Sequence, residues 1–366
     1  MKVRMLISFS GDGGVEKMAI NLMQGMLELG REVEVLRIKS QGRFVKHIPA
    51  PVKVIQLPAS HNYLNIPFLC KYLHKKRPGS ILAFKERAIV SLAIAKRITG
   101  SKVKIIGRMG TTLTQSLKER NRSPLYIFLR TFLLRWAMKQ THRIVAVSRG
   151  VKEDLLSMSP SLREKVLCIP NPTITRELFE MSLSPVEEEW FGPNRDIKVA
   201  VAMGRLTTQK DFQTLISAIY LVNKSIPLRL FIMGEGEKRA QLQEQINKLG
   251  LNQRIKLAGF ISNPYPYIAN ADLFVLSSRW EGSPNALTEA LALGTPVVST
   301  DCKSGPREIL QDGRLGPLVE VGEPSSLAEA ILKVIRDPLP PQVLKKGVGD
   351  YYYLTSARKY LSLLSP

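Results

Sequence analysis

The chain predicts two successive α/β domains, each a parallel sheet wound with helices on both faces. Three observations carry this. Short apolar runs of β character alternate with segments whose apolar residues recur at helical spacing. The first such pair is joined by a glycine-rich turn, the opening of a Rossmann-type βαβ unit. At 366 residues, 44% of them hydrophobic, the chain has room for about two domains with cores of their own.

Residues 3–9 read as a strand, and Ser10-Gly11-Asp12-Gly13-Gly14 as a turn. Val15, Met18, Ala19, Leu22, Met26, Leu27 and Leu29 then recur at helical spacing until Gly30 stops the helix. Residues 32–38 alternate like a strand. Further strands are expected at 52–57, 80–84, 103–108, 144–148 and 166–169, the last closing the sheet before Pro170-Asn171-Pro172. Residues 181–196 change character, with Glu187 to Glu189 in a row and then Gly192-Pro193-Asn194, and read as a linker. The first domain is therefore expected over 1–183 and the second over 190–349. In the second, strands are expected at 199–203, 228–233, 255–258, 273–276 and 296–299. Helices are expected at 211–222, 237–249, 284–293 and 326–336. Short apolar strands between amphipathic helices require a parallel sheet covered on both faces. A last helix, within 350–366, is expected to cross back onto the first domain.

Composition excludes several classes. Cys70, Cys168 and Cys302 are odd in number and far apart, which fits a reduced, cytoplasmic setting without a disulfide framework or zinc knuckle. Four histidines with no local His/Cys cluster argue against a resident metal. The N-terminus lacks a signal-peptide pattern, and no uncharged run approaches the roughly 18 residues of a membrane span. A soluble or peripheral protein is expected. The net charge of +22 is lopsided: residues 1–183 hold 32 Lys and Arg against 12 Asp and Glu, the rest 21 against 19. Such a basic half implies an anionic partner.

The most specific stretch is 277–300. A buried strand ends at Leu276, and the following loop carries Glu281. Ser283 suits a helix N-cap and Pro284 the first helical position. Gly294 ends the helix, and a strand follows at once. The helix N-terminus thus opens at the carboxyl end of a parallel strand, where open α/β sheets bind ligands and where free N–H groups favour phosphate. Seven residues separate Glu281 from Glu289 in the helix. One carboxylate can face a sugar while the other accepts from a ribose diol.

This pattern resembles the E-x7-E motif of retaining glycosyltransferases, family 4 in particular. The resemblance continues through Gly294-Thr295-Pro296-Val297-Val298, Ser304-Gly305-Pro306-Arg307-Glu308 and Asp312-Gly313. Upstream it takes in Gly204-Arg205-Leu206, Lys210-Asp211-Phe212, Gly234-Glu235-Gly236 and Gly259-Phe260. It covers nearly all of residues 199–335; the first half matches mainly by its Gly-rich loop. The resemblance implies a GT-B fold, two Rossmann-like domains with a cleft between them, and a hexosyltransferase-type enzyme (EC 2.4). The donor would be a nucleotide-sugar, by default a UDP-sugar. Arg205 and Lys210 would neutralise its diphosphate, a charge sink physically suited to a departing nucleoside diphosphate. Glu281 would lie near the transferred sugar. Ser283, Pro284, Asn285, Ala286, Leu287 and Glu289 would hold the donor, with Phe260 near the base and Gly13 and Gly14 facing it. No cofactor is expected, and the absence of Asp-x-Asp implies metal independence. Many relatives carry a His in the first domain; here the region reads Ile106-Gly107-Arg108-Met109-Gly110. Arg108 instead suits an anionic acceptor or a core edge.

Residues 114–143 interleave Lys118, Arg120, Arg122, Arg130, Arg135 and Lys139 with Leu125, Tyr126, Phe128, Phe132, Leu133, Leu134 and Trp136. Such a helix can lie on an anionic bilayer, with Lys71, Lys75, Lys76 and Arg77 extending the patch, or pack on the sheet with its cations in water. The expected setting is peripheral, on the inner face of the cytoplasmic membrane, with a glycan or lipid-linked acceptor in surface polysaccharide synthesis. The alternative is a sugar-nucleotide epimerase or another nucleotide-sugar enzyme of the same fold. A nucleic-acid partner is not expected, because no RNP, KH or zinc motif accompanies the charge.

Overall fold

The structure is a computed structural model, and it describes residues 2–9, 13–40, 42–112, 123–192 and 195–364. Ser10, Gly11 and Asp12 of the turn, Lys118, Arg120 and Arg122 of the basic stretch, and Pro193 and Asn194 lie outside the described residues. The chain forms two compact units: Met1–Thr173 with Asp350–Pro366, and Ile174–Gly349.

The first unit holds β1 (Lys2–Phe9), α1 (Gly14–Glu28), β2 (Glu32–Ser40), β3 (Lys53–Gln56), α2 (Ile66–Lys76), β4 (Ser80–Phe84), α3 (Glu86–Thr99), β5 (Lys104–Met109), α4 (Pro124–Lys139), β6 (Arg143–Ala146), α5 (Arg149–Met158) and β7 (Val166–Cys168). Its sheet runs β3-β2-β1-β4-β5-β6-β7, and every pairing is parallel. Side chains alternate along β1. Val3, Met5, Ile7 and Phe9 face the layer of α1 and the C-terminal helix, whereas Leu6 faces the core under α2 and α3. Both faces of the central strands are dry, which is why β1 and β4 read as apolar runs.

The second unit holds α6 (Arg176–Ser182), β8 (Lys198–Met203), α7 (Phe212–Val222), β9 (Leu228–Met233), α8 (Arg239–Lys248), β10 (Ile255–Gly259), α9 (Tyr265–Ala269), β11 (Leu273–Leu276), α10 (Asn285–Leu293), β12 (Val297–Thr300), α11 (Pro306–Ile309), β13 (Leu318–Val319), α12 (Pro324–Arg336) and α13 (Pro341–Gly347). The sheet order is β10-β9-β8-β11-β12-β13, again parallel. Leu215, Ile219, Leu242, Ile246, Leu327 and Ile331 cover one face. On the other, Phe231 stacks on Tyr267 at 5.3 Å and Phe191 meets both rings edge-on.

The structure divides earlier than the linker composition suggested, at Thr173 and not at residue 183. α6 belongs to the second unit because Leu178 is buried there and Met181 O accepts from Asn263 Nδ2 at 2.9 Å. Phe191, inside the expected linker, is packed on the sheet, and Glu188 pairs with Lys256 at 2.6 Å. Acidic and Gly/Pro-rich composition marked a turn-rich stretch here, not a free one.

The C-terminal helix α14 (Tyr353–Leu364) lies in the first unit. Tyr353 Oη donates to Glu28 at 2.6 Å, Ser356 Oγ donates to Pro170 O at 3.0 Å, and Tyr360 is 1% exposed. Burial pushes the Tyr360 phenol up to about 12 against the opposing pull of Arg108. A phenol whose folded-state value is raised stabilises the fold in full below about pH 10, and that contribution is lost as pH climbs towards 12. Denaturant unfolding from about pH 9 to 12 should therefore show declining stability. The Tyr360→Phe chain should decline less steeply over that window. Equal slopes in both chains would contradict this burial.

Candidate functional site

In the second unit, β8 and β11 lie side by side. The chain leaves β8 towards β9 and β10 on one flank, and leaves β11 towards β12 and β13 on the other. Loops after two such strands diverge at their carboxyl ends and open a crevice, the usual ligand position in a doubly wound sheet. Residues 204–211 form the first loop and 277–284 the second.

The two loops are tied together. Ser277 Oγ donates to Lys210 O at 2.7 Å, Arg279 N to Gln209 O at 2.8 Å, and Gln209 Nε2 to Trp280 O at 2.9 Å. Arg279 Nε pairs with Asp211 Oδ2 at 3.0 Å, and Thr214 Oγ1 donates to the same oxygen at 2.9 Å. These contacts surround Asp211, whose backbone is left-handed at φ 46°, a conformation that Asp adopts more readily than most residues with a side chain.

Two of the sequence-predicted residues, Lys210 and Glu281, meet here. Lys210 Nζ lies 2.6 Å from Glu281 Oε1, and Ser278 Oγ donates to that oxygen at 2.7 Å. The side chains are 17% and 9% exposed, so the pair is largely screened from water. Removing one partner of such a pair leaves the other desolvated and uncompensated. Glycines clear the space. A Cβ on Gly204 would lie 2.8 Å from Lys210 Cε, and one on Gly234 (φ 146°) would lie 1.9 Å from Gly204 O. Arg205, in the same loop, is exposed.

The helix α10 begins at Asn285, one residue later than expected, and Ser283 is not its cap. Pro284 holds that position in an extended conformation, with no side-chain cap bond. The loop at 303–305 packs beneath instead. Ser304 Oγ donates to Gly282 O at 2.9 Å, and a Cβ on Gly305 (φ 98°) would lie 2.6 Å from Pro284 Cδ. Leu287 is wholly buried and its N–H donates to Pro284 O at 3.2 Å, so neither its side chain nor its amide is presented to a ligand as the sequence reading expected. Ser283, Asn285 and Ala286 are half-buried and Pro284 is buried. Glu289 is 1% exposed, and Tyr265 Oη donates to its carboxylate at 3.4 Å. Phe260 is 55% exposed just after β10.

Sequence reasoning missed Ser278, the Asp211–Arg279 pair and Cys302. The Asp-x-x-Thr spacing of 211 and 214 was the available signal for the second. Among the described residues, no three His, Cys, Asp or Glu side chains are grouped as a metal site would need.

In the first unit, Gly13 is exposed at the N-cap of α1 and Gly14 opens that helix. Beside them Lys85 Nζ pairs with Glu16 Oε1 at 2.7 Å, a pair the sequence reading also missed. Arg108, expected at an acceptor or at a core edge, is 2% exposed: it points into the layer of α1 and α14, where its Nη2 donates to Asn171 Oδ1 at 2.5 Å. As placed, it is not a surface group open to an acceptor. On α4, Leu125, Phe128, Leu129 and Phe132 are 56–67% exposed, while Leu134, Ala137 and Met138 anchor the helix to the core. Arg135 and Lys139 are exposed; Arg130 pairs with Glu86 at 2.5 Å. Lys71, Lys75, Lys76 and Arg77 are exposed on and just after α2.

Cys302 is 3% exposed, and burial, then the Glu281 carboxylate, push its thiol up to about 12. At pH about 8 a thiol reagent should therefore alkylate exposed Cys168 and spare Cys302 in the folded protein. Rapid modification of Cys302, read by peptide mass mapping, would contradict this packing around Glu281.

Comparison with known proteins extends these observations to the whole chain. Residues 197–337 match the model for glycosyl transferases group 1, and residues 12–177 match that for Glycosyltransferase Family 4. The chain spans about half (48%) of an uncharacterized glycosyltransferase of Methanocaldococcus jannaschii, 37% identical over 193 residues that make up 52% of this chain. It is 27% identical to the lipopolysaccharide core biosynthesis glycosyltransferase LpsE of Rhizobium meliloti over 98% of this chain and 97% of that protein. It is 28% identical to an N-acetylgalactosamine-N,N'-diacetylbacillosaminyl-diphospho-undecaprenol 4-alpha-N-acetylgalactosaminyltransferase of Campylobacter jejuni, over 92% and 90%. Among solved structures it is similar to Anabaena HepE in complex with UDP, with a TM-score of 0.77 and 22% identity, over 100% of this chain and 99% of that one. Two parallel, doubly wound sheets and a family match to each half place the chain in glycosyltransferase family 4, with the GT-B fold.

Proposed function

We propose that this glycosyltransferase is a retaining, metal-independent enzyme that moves a sugar from a UDP-sugar to a lipid-linked saccharide during surface polysaccharide synthesis. The observation that carries the reading is the Lys210–Glu281 pair at the switch point of the second sheet, with Arg205 in the same loop. A donor diphosphate would draw Lys210 Nζ away from Glu281, and Arg205 would swing onto it. Both cations would then stabilise charge that grows as the bond from the anomeric carbon to the β-phosphate oxygen breaks. The freed Glu281 carboxylate would accept from sugar hydroxyls. The acceptor hydroxyl would attack from the face the phosphate leaves, bonding to the anomeric carbon and passing its proton to the departing phosphate. These two cations would supply the charge neutralisation that a divalent metal supplies in other transferases. Half-buried Ser283, Asn285 and Ala286 would border the phosphates and sugar. Glu289 would take the ribose hydroxyls after local opening at Tyr265, with Phe260 beside the base.

The relatives support the substrate classes. The name of the Campylobacter protein specifies a diphospho-undecaprenol acceptor, that of LpsE a lipopolysaccharide core, and HepE has been solved with UDP and with UDP-glucose. A lipid-linked acceptor suits the exposed apolar face of α4 and the basic surplus of the first 183 residues, which we read as a surface that docks on an anionic bilayer at the inner face of the cytoplasmic membrane. No helix among the described residues is long and apolar enough to cross a membrane.

Arg205→Ala and Lys210→Met should each lower kcat/KM for transfer by about 10²- to 10³-fold without changing the anomeric configuration of the product. Nuclear magnetic resonance of the product settles the configuration: inversion would refute the retaining assignment, and undiminished rates would refute the charge-sink assignment. In vesicle co-sedimentation, Phe128→Ser with Phe132→Ser should abolish binding to anionic vesicles, and wild-type binding should fall with salt. Wild-type indifference to lipid charge would remove the membrane reading.

A further inference from the structure

Two serines follow β11 directly and turn opposite ways, as successive residues of an extended segment do. Ser277 Oγ turns to the neighbouring loop and donates to Lys210 O at 2.7 Å. Ser278 Oγ turns to its own loop and donates to Glu281 Oε1, also at 2.7 Å. Ser278 is wholly buried, and Thr300 Oγ1, equally buried at the end of β12, donates to its carbonyl at 2.6 Å. β12 thus fixes the backbone from which the Ser278 hydroxyl reaches the carboxylate.

Glu281 takes two bonds on one oxygen. Lys210 Nζ and Ser278 Oγ both reach Oε1, at 2.6 and 2.7 Å, and among the described residues none reaches Oε2. The Glu281 side chain is 9% exposed, so water does little to compensate its charge. Its buried neighbour Cys302 adds no compensating charge: burial first, then Glu281 itself, push that thiol up to about 12, so it stays uncharged. When a donor diphosphate draws Lys210 away, Ser278 is the donor that stays on the carboxylate among the described residues. A buried charge stripped of its partner is costly, and a hydrogen bond to a charged group is worth more than one between neutral groups.

We infer that Ser278 is a positioning residue of the donor site, which holds and compensates the Glu281 carboxylate while Lys210 is engaged with the donor diphosphate. The inference rests on the transferase reading. Ser278 acts through Glu281 and not on the substrate: it fixes Oε1 and leaves Oε2 for a sugar hydroxyl. The hydroxyl therefore carries more weight with the donor bound than without it. Without Ser278 Oγ, the carboxylate would pull Lys210 back onto itself and away from the diphosphate.

Calorimetric titration of UDP into the full chain tests this in four forms: wild type, Ser278→Ala, Glu281→Gln and the double variant. Ser278→Ala should weaken UDP binding by about ten-fold, because the carboxylate then holds Lys210 more tightly. In the Glu281→Gln background no charge needs compensation, and adding Ser278→Ala should change UDP affinity by less than about two-fold. A serine that only packs the loop would show the same loss in both backgrounds. Ser278→Cys keeps the volume but donates weakly; it should also weaken UDP binding, and it decides the matter if Ser278→Ala does not fold. Unchanged UDP affinity in the Ser278 variants, or an equal loss with and without the Glu281 charge, would overturn the proposal. Failure of UDP to bind wild type would overturn the donor reading, and the proposal with it.

Discussion

Everything at the candidate site depends on how the second sheet is wound. β8 and β11 are hydrogen-bonded neighbours, but the chain departs from them in opposite directions. The loops that leave their carboxyl ends diverge and must be held by each other. They are: Ser277, Gln209, Arg279 and Asp211 join the loops, and Lys210 and Glu281 close the arrangement with an ion pair at 2.6 Å. The backbone cost is visible in the left-handed Asp211 and in the contact of Gly234 with Gly204, which leaves no room for a Cβ. The constraint falls on the backbone of the two loops, from which the Lys210 and Arg205 side chains extend.

The first unit repeats the winding with different chemistry. Its switch point, between β1 and β4, carries a helix start at Gly13, a lysine held by a buried glutamate and a buried arginine that bonds Asn171. Over the first 183 residues the charge balance is positive. The exposed aromatic and aliphatic residues of α4 add an apolar surface to that basic one.

Much of this was legible in the sequence. The strands Ser80–Phe84, Leu228–Met233 and Leu273–Leu276 fall at the expected residues, because doubly buried strands appear as bounded apolar runs. The fold class followed from that alternation, and the pairing of two site residues 71 positions apart agrees with a motif string that placed both at strand ends. What was not legible has physical causes. α3 is buried nearly all round, from Ala88 to Ala93, so it shows no amphipathic stripe. α9 and β13 are five and two residues long, too short for any period. Ser283 looked like a cap because a serine before a proline fits one locally; the packing of Gly305 under Pro284, a contact from 21 residues on, moves the helix start. Arg108 was expected either at an anionic acceptor or at a core edge, and nothing local in the sequence separates the two. Only the packing of Asn171, Phe84 and Tyr360 around it reveals a buried cation.

The central claim is that Lys210 and Arg205 form a diphosphate site that needs no metal. Calorimetric titration of UDP, GDP and ADP into the full chain in the presence of a chelator tests it most directly. One nucleoside diphosphate should bind in the micromolar range, with the same affinity after magnesium is added. Binding that appears only with magnesium, or no binding of any of the three, would contradict the account.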